Sequence, residues 1–341
     1  MKNFYKKLND DEVQCLACVN QCKIKNDQVG ICGVRQNKNG KLNLLVENRP
    51  IAINLDPIEK KPLFHFLPGT EIFSFGTFGC NFRCAFCQNW DISQLPKSNK
   101  IFEEFIKETT EFWPPEKIVN YCLENKISSI AYTYNEPTIF VEYALKTMIL
   151  ARKNGIKNVF VSNGYQSNET IKEITPYLDA INIDLKSMNE KFYQKICGAH
   201  LEPVLKNIKT FYQKGVWIEL TTLVIPQEND SEKELKEIAQ FIAQIDKNIP
   251  WHISRFFPNY QMTDYKETSI ETIKKAYEIG KKAGLNFVYG GNIINSSLEN
   301  TFCPQCGALL IARNNYNIKI TENFSKGRCL KCHAEIKGVW Q

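Results

Sequence analysis

The stretch Gly79-Cys80-Asn81-Phe82-Arg83-Cys84-Ala85-Phe86-Cys87-Gln88-Asn89 follows an apolar run, Ile72 to Phe78, that reads as a β-strand. Three thiolates at C-x3-C-x2-C spacing suit an iron-sulfur cluster. A [4Fe-4S] cluster takes four thiolates, so three local ligands leave one iron open to chelate a substrate or cofactor. The competing readings are three structural thiols, or a zinc site short of one ligand.

From Phe73 to about Tyr289, short apolar runs alternate with longer amphipathic ones, the pattern of repeated βα units on a parallel sheet. Strands are predicted at Ile72 to Phe78, Ser129 to Tyr134, Asn158 to Ser162, Ala180 to Leu185, Trp217 to Val224 and Trp251 to Phe256, with a weaker one at Asn286 to Tyr289. Helices are predicted at Pro115 to Asn125, Ile139 to Asn154, Glu169 to Tyr177, Leu201 to Lys214, Ser231 to Asp246 and Ile270 to Ala283. Asn154-Gly155, Lys214-Gly215 and Ala283-Gly284 read as helix stops, and Ser231 to Glu234 as a capping box. Six such units are too few to close an eight-stranded barrel. They suit an α/β fold of the open, partial (β/α)6 TIM type, with the site at the C-terminal ends of the strands. Polar motifs fall at those ends: Cys80, Asn135-Glu136, Asn163-Gly164, Asp184 with Lys186, and Arg255. A sheet buried on both faces has little other reason to carry polar residues there.

The chain has 341 residues, 43% of them apolar, enough for a sizeable core. Its 43 basic and 37 acidic residues leave a charge of +6, too balanced for a nucleic-acid binder, which needs a clustered basic face. Residues 1–10 hold no apolar core of signal-peptide length, and no later run suggests a membrane span. A cytoplasmic location is therefore expected. There thirteen cysteines would be mostly reduced, which favours metal ligation over disulfides.

The cysteines fall into groups. Cys303, Cys306, Cys329 and Cys332 form two C-x2-C knuckles, the arithmetic of a four-cysteine zinc ribbon; rubredoxin-like iron or a second cluster would accept the same ligands. Gly307 follows the first knuckle and His333 the second, where it could compete as a ligand. Tyr316, Phe324 and Trp340 are expected to pack the small core of this region. Cys15, Cys18, Cys22 and Cys32 form a less regular set flanked by Gly30 and Gly33, for which spacing does not separate zinc from an auxiliary iron-sulfur cluster. Cys122 and Cys197 read as packed thiols. The expected organisation is a four-cysteine capping domain over residues 1–70, a core over 71–295 and a zinc-ribbon-like domain over 296–341.

Together these motifs resemble the radical S-adenosylmethionine (SAM) superfamily, and within it the group containing the pyruvate formate-lyase activating enzymes. The nearer resemblance is to the radical SAM enzymes of the AmmeMemoRadiSam system. It is carried by Asp56-Pro-Ile-Glu-Lys-Lys-Pro-Leu63, His65-Phe-Leu-Pro-Gly69, Gly79 to Cys84, Thr133-Tyr-Asn-Glu-Pro-Thr138, Ile183-Asp-Leu-Lys186, Ser254-Arg-Phe-Phe-Pro258 and the C-terminal Cys-Pro-Gln-Cys-Gly with Gly-Val-Trp340.

The resemblance implies that Cys80, Cys84 and Cys87 hold a [4Fe-4S] cluster whose open iron binds SAM, with Phe86 beside the adenine. Asn135-Glu136-Pro137 stands where the superfamily has Gly-Gly-Glu, which receives the SAM amino group; Tyr134-Asn135 replaces the two glycines. Ser162-Asn163-Gly164 and Asp184-Leu185-Lys186 match motifs of the activating enzymes. Val161 replaces an aspartate that holds a cation in many of them. Asp184 with Lys186 reads either as a polar clamp or as an ordinary ion pair, and His252 and Arg255 either face the ligands or, for His252, pack in the core. The implied reaction is reductive cleavage of SAM to a 5'-deoxyadenosyl radical that abstracts hydrogen from a small-molecule or lipid-like substrate. The alternative is activation of a glycyl-radical enzyme. A flavodoxin- or ferredoxin-type electron donor is implied, with partner proteins of the same system, a zinc-binding tail and no membrane.

Overall fold

The computed structural model describes residues 3–97, 102–293, 297–314 and 316–340. The expected boundary at 295/296 lies outside the described residues. The chain divides into two compact units: Met1–Asp56, Glu71–Ile181 and Cys197–Ala199, and Pro57–Thr70, Asn182–Ile196 and His200–Gln341. Among the described residues no helix is long and apolar enough to cross a membrane.

In the first unit, strands β1 (Ala52–Pro57), β2 (Glu71–Gly76), β3 (Ser129–Tyr132) and β4 (Lys157–Ser162) are neighbours in that order. The division between the units falls inside β5 (Ala180–Asp184). β2, β3 and β4 are parallel, with Phe73 opposite Ile130 and Ala131 opposite Val159. Every residue of β3 is buried, which is why Ser129 to Tyr132 lacks the alternation of a half-exposed strand. Between the strands run α1 (Pro115–Glu124), α2 (Val141–Lys153) and α3 (Asn168–Ile174). Proline at the first position of α1 suits a site whose N–H would have no helical partner. Ser167 caps α3 by accepting from Thr170 N. α3 stops three residues before the predicted Tyr177: Thr175 still has helical angles, but Pro176 has no N–H with which to continue the helical hydrogen bonds.

Ahead of β1 lie a three-stranded antiparallel sheet (Tyr5–Lys7, Glu12–Cys15, Lys23–Lys25) and a hairpin pairing Arg35–Lys38 with Lys41–Leu44. The run Leu42 to Glu47 reads as a strand from its sequence; the second hairpin strand covers Lys41–Leu44 and stops short of its end. The remaining short strands went unpredicted because three or four residues rich in charge carry no periodic signal, and β1 because it alternates poorly.

In the second unit β6 (Trp217–Val224), β7 (Trp251–Arg255) and β8 (Val288–Gly291) are parallel, with Leu220 opposite Trp251 and Trp251 opposite Val288. β6 has the predicted bounds. α4 (Leu201–Gln213), α5 (Glu232–Ile245) and α6 (Ile270–Lys282) accompany them. The capping box of α5 is half formed. Ser231 Oγ accepts from Glu234 N, but the Glu234 carboxylate accepts instead from Ser187 Oγ and from Met188 N at 2.6 Å. Beyond β8, Thr301–Phe302, Leu309–Asn314 and Asn317–Ile320 form an antiparallel sheet, and Phe324–Ser325 pairs with Arg328–Cys329. Leu310, Ile311, Phe324 and Ile336 bury together here with Phe64, Phe287 and Tyr289, and Trp340 packs against them. The expectation for Tyr316 fails. It is 56% exposed, because it lies in the turn between two paired strands.

Candidate metal and cofactor site

The parallel order of β2, β3 and β4 brings three loops to one edge: residues 77–89 after β2, 133–138 after β3 and 163–167 after β4. Gly79 begins the first with φ +92°. A Cβ there would lie 2.6 Å from the Cys32 carbonyl oxygen, so only glycine fits. Cys84 is buried, and Cys80 and Cys87 are partly so. Phe82 N donates to Cys80 Sγ at 3.5 Å and Cys87 N to the Cys84 carbonyl at 3.2 Å. Burial raises the Cys80 thiol, opposed by Lys97. A bound cation would reverse that sense. Three thiols on one loop, one accepting a backbone N–H, fit a metal cluster in their donor chemistry. Phe86 is buried beside Cys87.

The loops are knitted together by side-chain amides and one carboxylate. Asn135 Nδ2 donates to the Gly79 carbonyl at 2.8 Å and to Thr77 Oγ1, and its Oδ1 accepts from Thr77 N. Asn163 Nδ2 donates to Asn81 Oδ1 at 2.7 Å. Glu136, 1% exposed, accepts from Ser162 Oγ, Asn163 N at 2.8 Å, Thr138 N at 3.0 Å and the Thr138 hydroxyl. Burial raises its carboxyl while these donors oppose the shift. Asn135, Glu136, Ser162, Asn163 and the cysteine loop therefore form one assembly. Tyr134 adopts φ +68°, a left-handed conformation that glycine would take without strain. It is held there by its hydroxyl, which donates to Asp56 and accepts from Asn54, and by Asn89 Nδ2 on its carbonyl at 2.7 Å.

Sequence reasoning missed Asn81, Asn89, Thr138 and Gln166. Gln166 Nε2 donates to Ser162 Oγ at 2.7 Å. Asn81 and Asn89 lie inside the cysteine stretch itself, where short amides between ligands are the signal that could have found them.

In the second unit, Asp184 ends β5 and accepts from Lys186 Nζ at 2.7 Å, with Asp184 the more exposed of the two. Arg255 ends β7, where Nε donates to the Thr268 carbonyl at 2.8 Å and Nη2 to Glu267 at 3.0 Å. His252 lies near the opposite end of β7, is 4% exposed and bonds Glu219 at 2.6 Å. It is a core histidine. Glu219 also accepts from Phe64 N, His65 N and Trp217 Nε1.

The C-terminal knuckles are matched turn for turn. Cys303 N donates to the Ala308 carbonyl and Gly307 N to that of Cys303; Cys329 N donates to Ala334 and His333 N to Cys329. Gly307 has φ +72° and His333 φ +63°. His333 thus takes the glycine conformation of its knuckle. Cys303 and Cys332 sulfurs are 3.5 Å apart, and those of Cys306 and Cys329 3.7 Å. A tetrahedral ion with metal-sulfur bonds near 2.3 Å requires edges of about 3.8 Å, so this set fits one metal ion.

The N-terminal cysteines converge as well. Cys15 N donates to the Cys22 carbonyl at 2.9 Å, and Cys18 forms a β-bridge with Gln166. Burial pushes the Cys32 thiol up to about 11, and burial with repulsion from Cys15 and Cys32 raises Cys18. Cys122 and Cys197 are fully buried.

A model of the Radical SAM superfamily matches residues 75–242. Over 335 residues the chain is 42% identical to the uncharacterized protein MJ0808 of Methanocaldococcus jannaschii, covering 98% of this chain and 97% of that one. It is 22% identical over 205 residues to the pyruvate formate-lyase-activating enzyme of Clostridium pasteurianum, covering 58% of this chain and 82% of that one. A radical SAM methyltransferase from Sphaerobacter thermophilus shares the fold at a TM-score of 0.51 and 15% identity, covering 72% of this chain and 71% of that one.

Proposed function

The chain belongs to the radical SAM superfamily, with pyruvate formate-lyase activating enzymes among its relatives, and from that premise we propose that it abstracts hydrogen from a small-molecule or lipid-like substrate. The observation that carries the reading is the joining of the C-x3-C-x2-C loop to Asn135, Glu136, Ser162 and Asn163 on one edge of parallel strands. When bound, a [4Fe-4S] cluster on Cys80, Cys84 and Cys87 supplies the electron that splits SAM into methionine and a 5'-deoxyadenosyl radical.

The remaining work falls to this chain. Asn135 fixes the start of the cysteine loop through the Gly79 carbonyl, and Asn163 fixes its second residue through Asn81. Phe86 offers an apolar face for the adenine. Glu136 holds the loops after β3 and β4 in register, since its oxygens already serve Thr138, Ser162 and Asn163. Ser162 and Asn163 line the ligand side of that edge. In the second unit, the Asp184-Lys186 pair and Arg255 offer charge to a polar ligand. The four C-terminal cysteines hold zinc in a structural ribbon.

Similarity to the activating enzyme covers 58% of the chain, whereas similarity to MJ0808 runs through 98%. That favours a substrate of its own over activation of a glycyl-radical enzyme. The test is isotope transfer: reduced protein with SAM and deuterated candidate substrates, followed by mass spectrometry of the 5'-deoxyadenosine. Deuterium arriving from a metabolite or lipid supports the proposal. A glycyl-radical doublet on a partner polypeptide, with no transfer from any small molecule, would replace it with the activating reading.

A further inference from the structure

Cys15, Cys18, Cys22 and Cys32 line one cavity with Arg35 and Asn81. Among the described residues, the C-terminal cysteines are the one set of three or more ligating side chains whose ligand atoms all lie within 4.8 Å of one another. The N-terminal thiols face a common space yet stand wider apart than the corners of a tetrahedron around a single ion. A cubane asks for wider sulfur spacing than a single ion does, because each thiolate binds a different iron.

Two buried donors make the case independently of the thiols. Arg35 is 3% exposed; its terminal nitrogens bond Glu142 and the Ile139 carbonyl, while Nε has no hydrogen-bond partner. Asn81 is 1% exposed and its Nδ2 is likewise unpartnered. Both residues line the cavity. A buried N–H left without an acceptor is destabilising. The bridging sulfides of a cluster would accept from both, and such hydrogen bonds are among the levers that set a cluster's potential.

The cavity adjoins the candidate SAM site. Asn81 follows Cys80 directly and bonds Asn163, and Gly79 lies against the Cys32 carbonyl. We propose that Cys15, Cys18, Cys22 and Cys32 hold an auxiliary iron-sulfur cluster that relays one electron from a reduced flavodoxin- or ferredoxin-type carrier to the cluster on Cys80, Cys84 and Cys87. The carrier is oxidised by one electron, the auxiliary cluster is reduced and reoxidised, and the second cluster gains the electron. The relay rests on the radical SAM reading; occupancy of the N-terminal set does not.

The test is anaerobic reconstitution of the full chain carrying Cys80→Ala, Cys84→Ala and Cys87→Ala, with iron, acid-labile sulfide and zinc measured together. About four irons with an equal number of sulfides are expected, with a cluster EPR signal on reduction. The C-terminal set contributes no sulfide if it holds a single ion, so sulfide reports the N-terminal set. Zinc beyond the one equivalent of the C-terminal set with no sulfide present, or iron without sulfide, would overturn the proposal. If the triple variant does not fold, the unsubstituted protein gives the same answer: about eight sulfides support the proposal and about four contradict it. Replacing the four N-terminal cysteines by serine should abolish carrier-driven SAM cleavage and spare dithionite-driven cleavage. Unchanged carrier-driven cleavage would overturn the relay. An auxiliary cluster in a protein that never cleaves SAM would sink the radical SAM reading alone.

Discussion

Glu136 accepts four or more hydrogen bonds in a site 1% exposed, so its negative oxygens are committed to structure. Glu136→Gln keeps the volume and turns one acceptor into a donor aimed at N–H and O–H groups. A loss of about 1–3 kcal/mol is expected, read by urea denaturation. A distant single residue gives a pH signature of different origin. His65 is fully buried, and its Nδ1 faces the Lys337 carbonyl, which can only accept. Nδ1 therefore carries the proton, Nε2 accepts from Tyr289 at 2.6 Å, and Tyr289 accepts from Thr301, whose oxygen takes a donor from Arg313. This chain suits neutral imidazole. Burial pushes His65 down to about 4 from its ordinary 6.5. Because the unfolded chain binds the proton more tightly, the contribution is whole above about pH 6.5, declines as pH falls, and is gone below about 4. It amounts to about 3 kcal/mol over that window. His65→Gln should flatten stability between pH 7 and 4 relative to the parent; an unaltered slope would contradict the neutral assignment.

The elements show why some of this was legible and some was not. β6 came out of the sequence at its observed bounds, since Trp217 to Val224 is rich in β-branched and large apolar residues and is flanked by Lys214-Gly215 and Pro226. β1 did not, because Ala52–Pro57 alternates poorly and exposes two of its six residues. The edge bearing the candidate site was legible from where the cysteine, Asn-Glu and Ser-Asn-Gly motifs fall after strands. The contacts of Asn81 and Gln166 were not, since a side-chain amide bonding a residue 82 or 4 positions away leaves no periodic trace. Helix-strand packing yields a sharper expectation. A Cβ on Gly280 of α6 would lie 2.9 Å from Val288 Cγ2 and 3.0 Å from Trp251 Cε3. Trp251 is fully buried and pinned by Nε1 on Thr222 Oγ1 at 2.9 Å. Alanine gains about 1 kcal/mol of helix propensity but overpacks by about 1–3 kcal/mol. Gly280→Ala should lower the denaturation midpoint, whereas Gly215→Ala, with open space around its Cβ, should lose stability only through its positive φ. For α5, Ser231→Ala removes the acceptor for Glu234 N and should cost about 1 kcal/mol by the same measurement.

For the whole molecule, eleven of thirteen cysteines sort by geometry into three sets with different capacities. The C-terminal sulfurs are spaced for one ion, so chelation should unfold the local sheet first, seen as earlier proteolysis near Cys303 and Cys329. The loop of Cys80, Cys84 and Cys87 is bound into an edge of parallel strands by Asn135 and, through Asn81, by Asn163. On this account that loop is where chemistry starts, and the rest of the chain positions what reacts there. The most direct measurement is anaerobic reconstitution with iron and sulfide, followed by incubation with SAM and dithionite and quantification of 5'-deoxyadenosine. The account predicts 5'-deoxyadenosine from the parent protein and none from Cys84→Ala. A fully loaded parent that forms none, or a Cys84→Ala variant that forms as much, would contradict it.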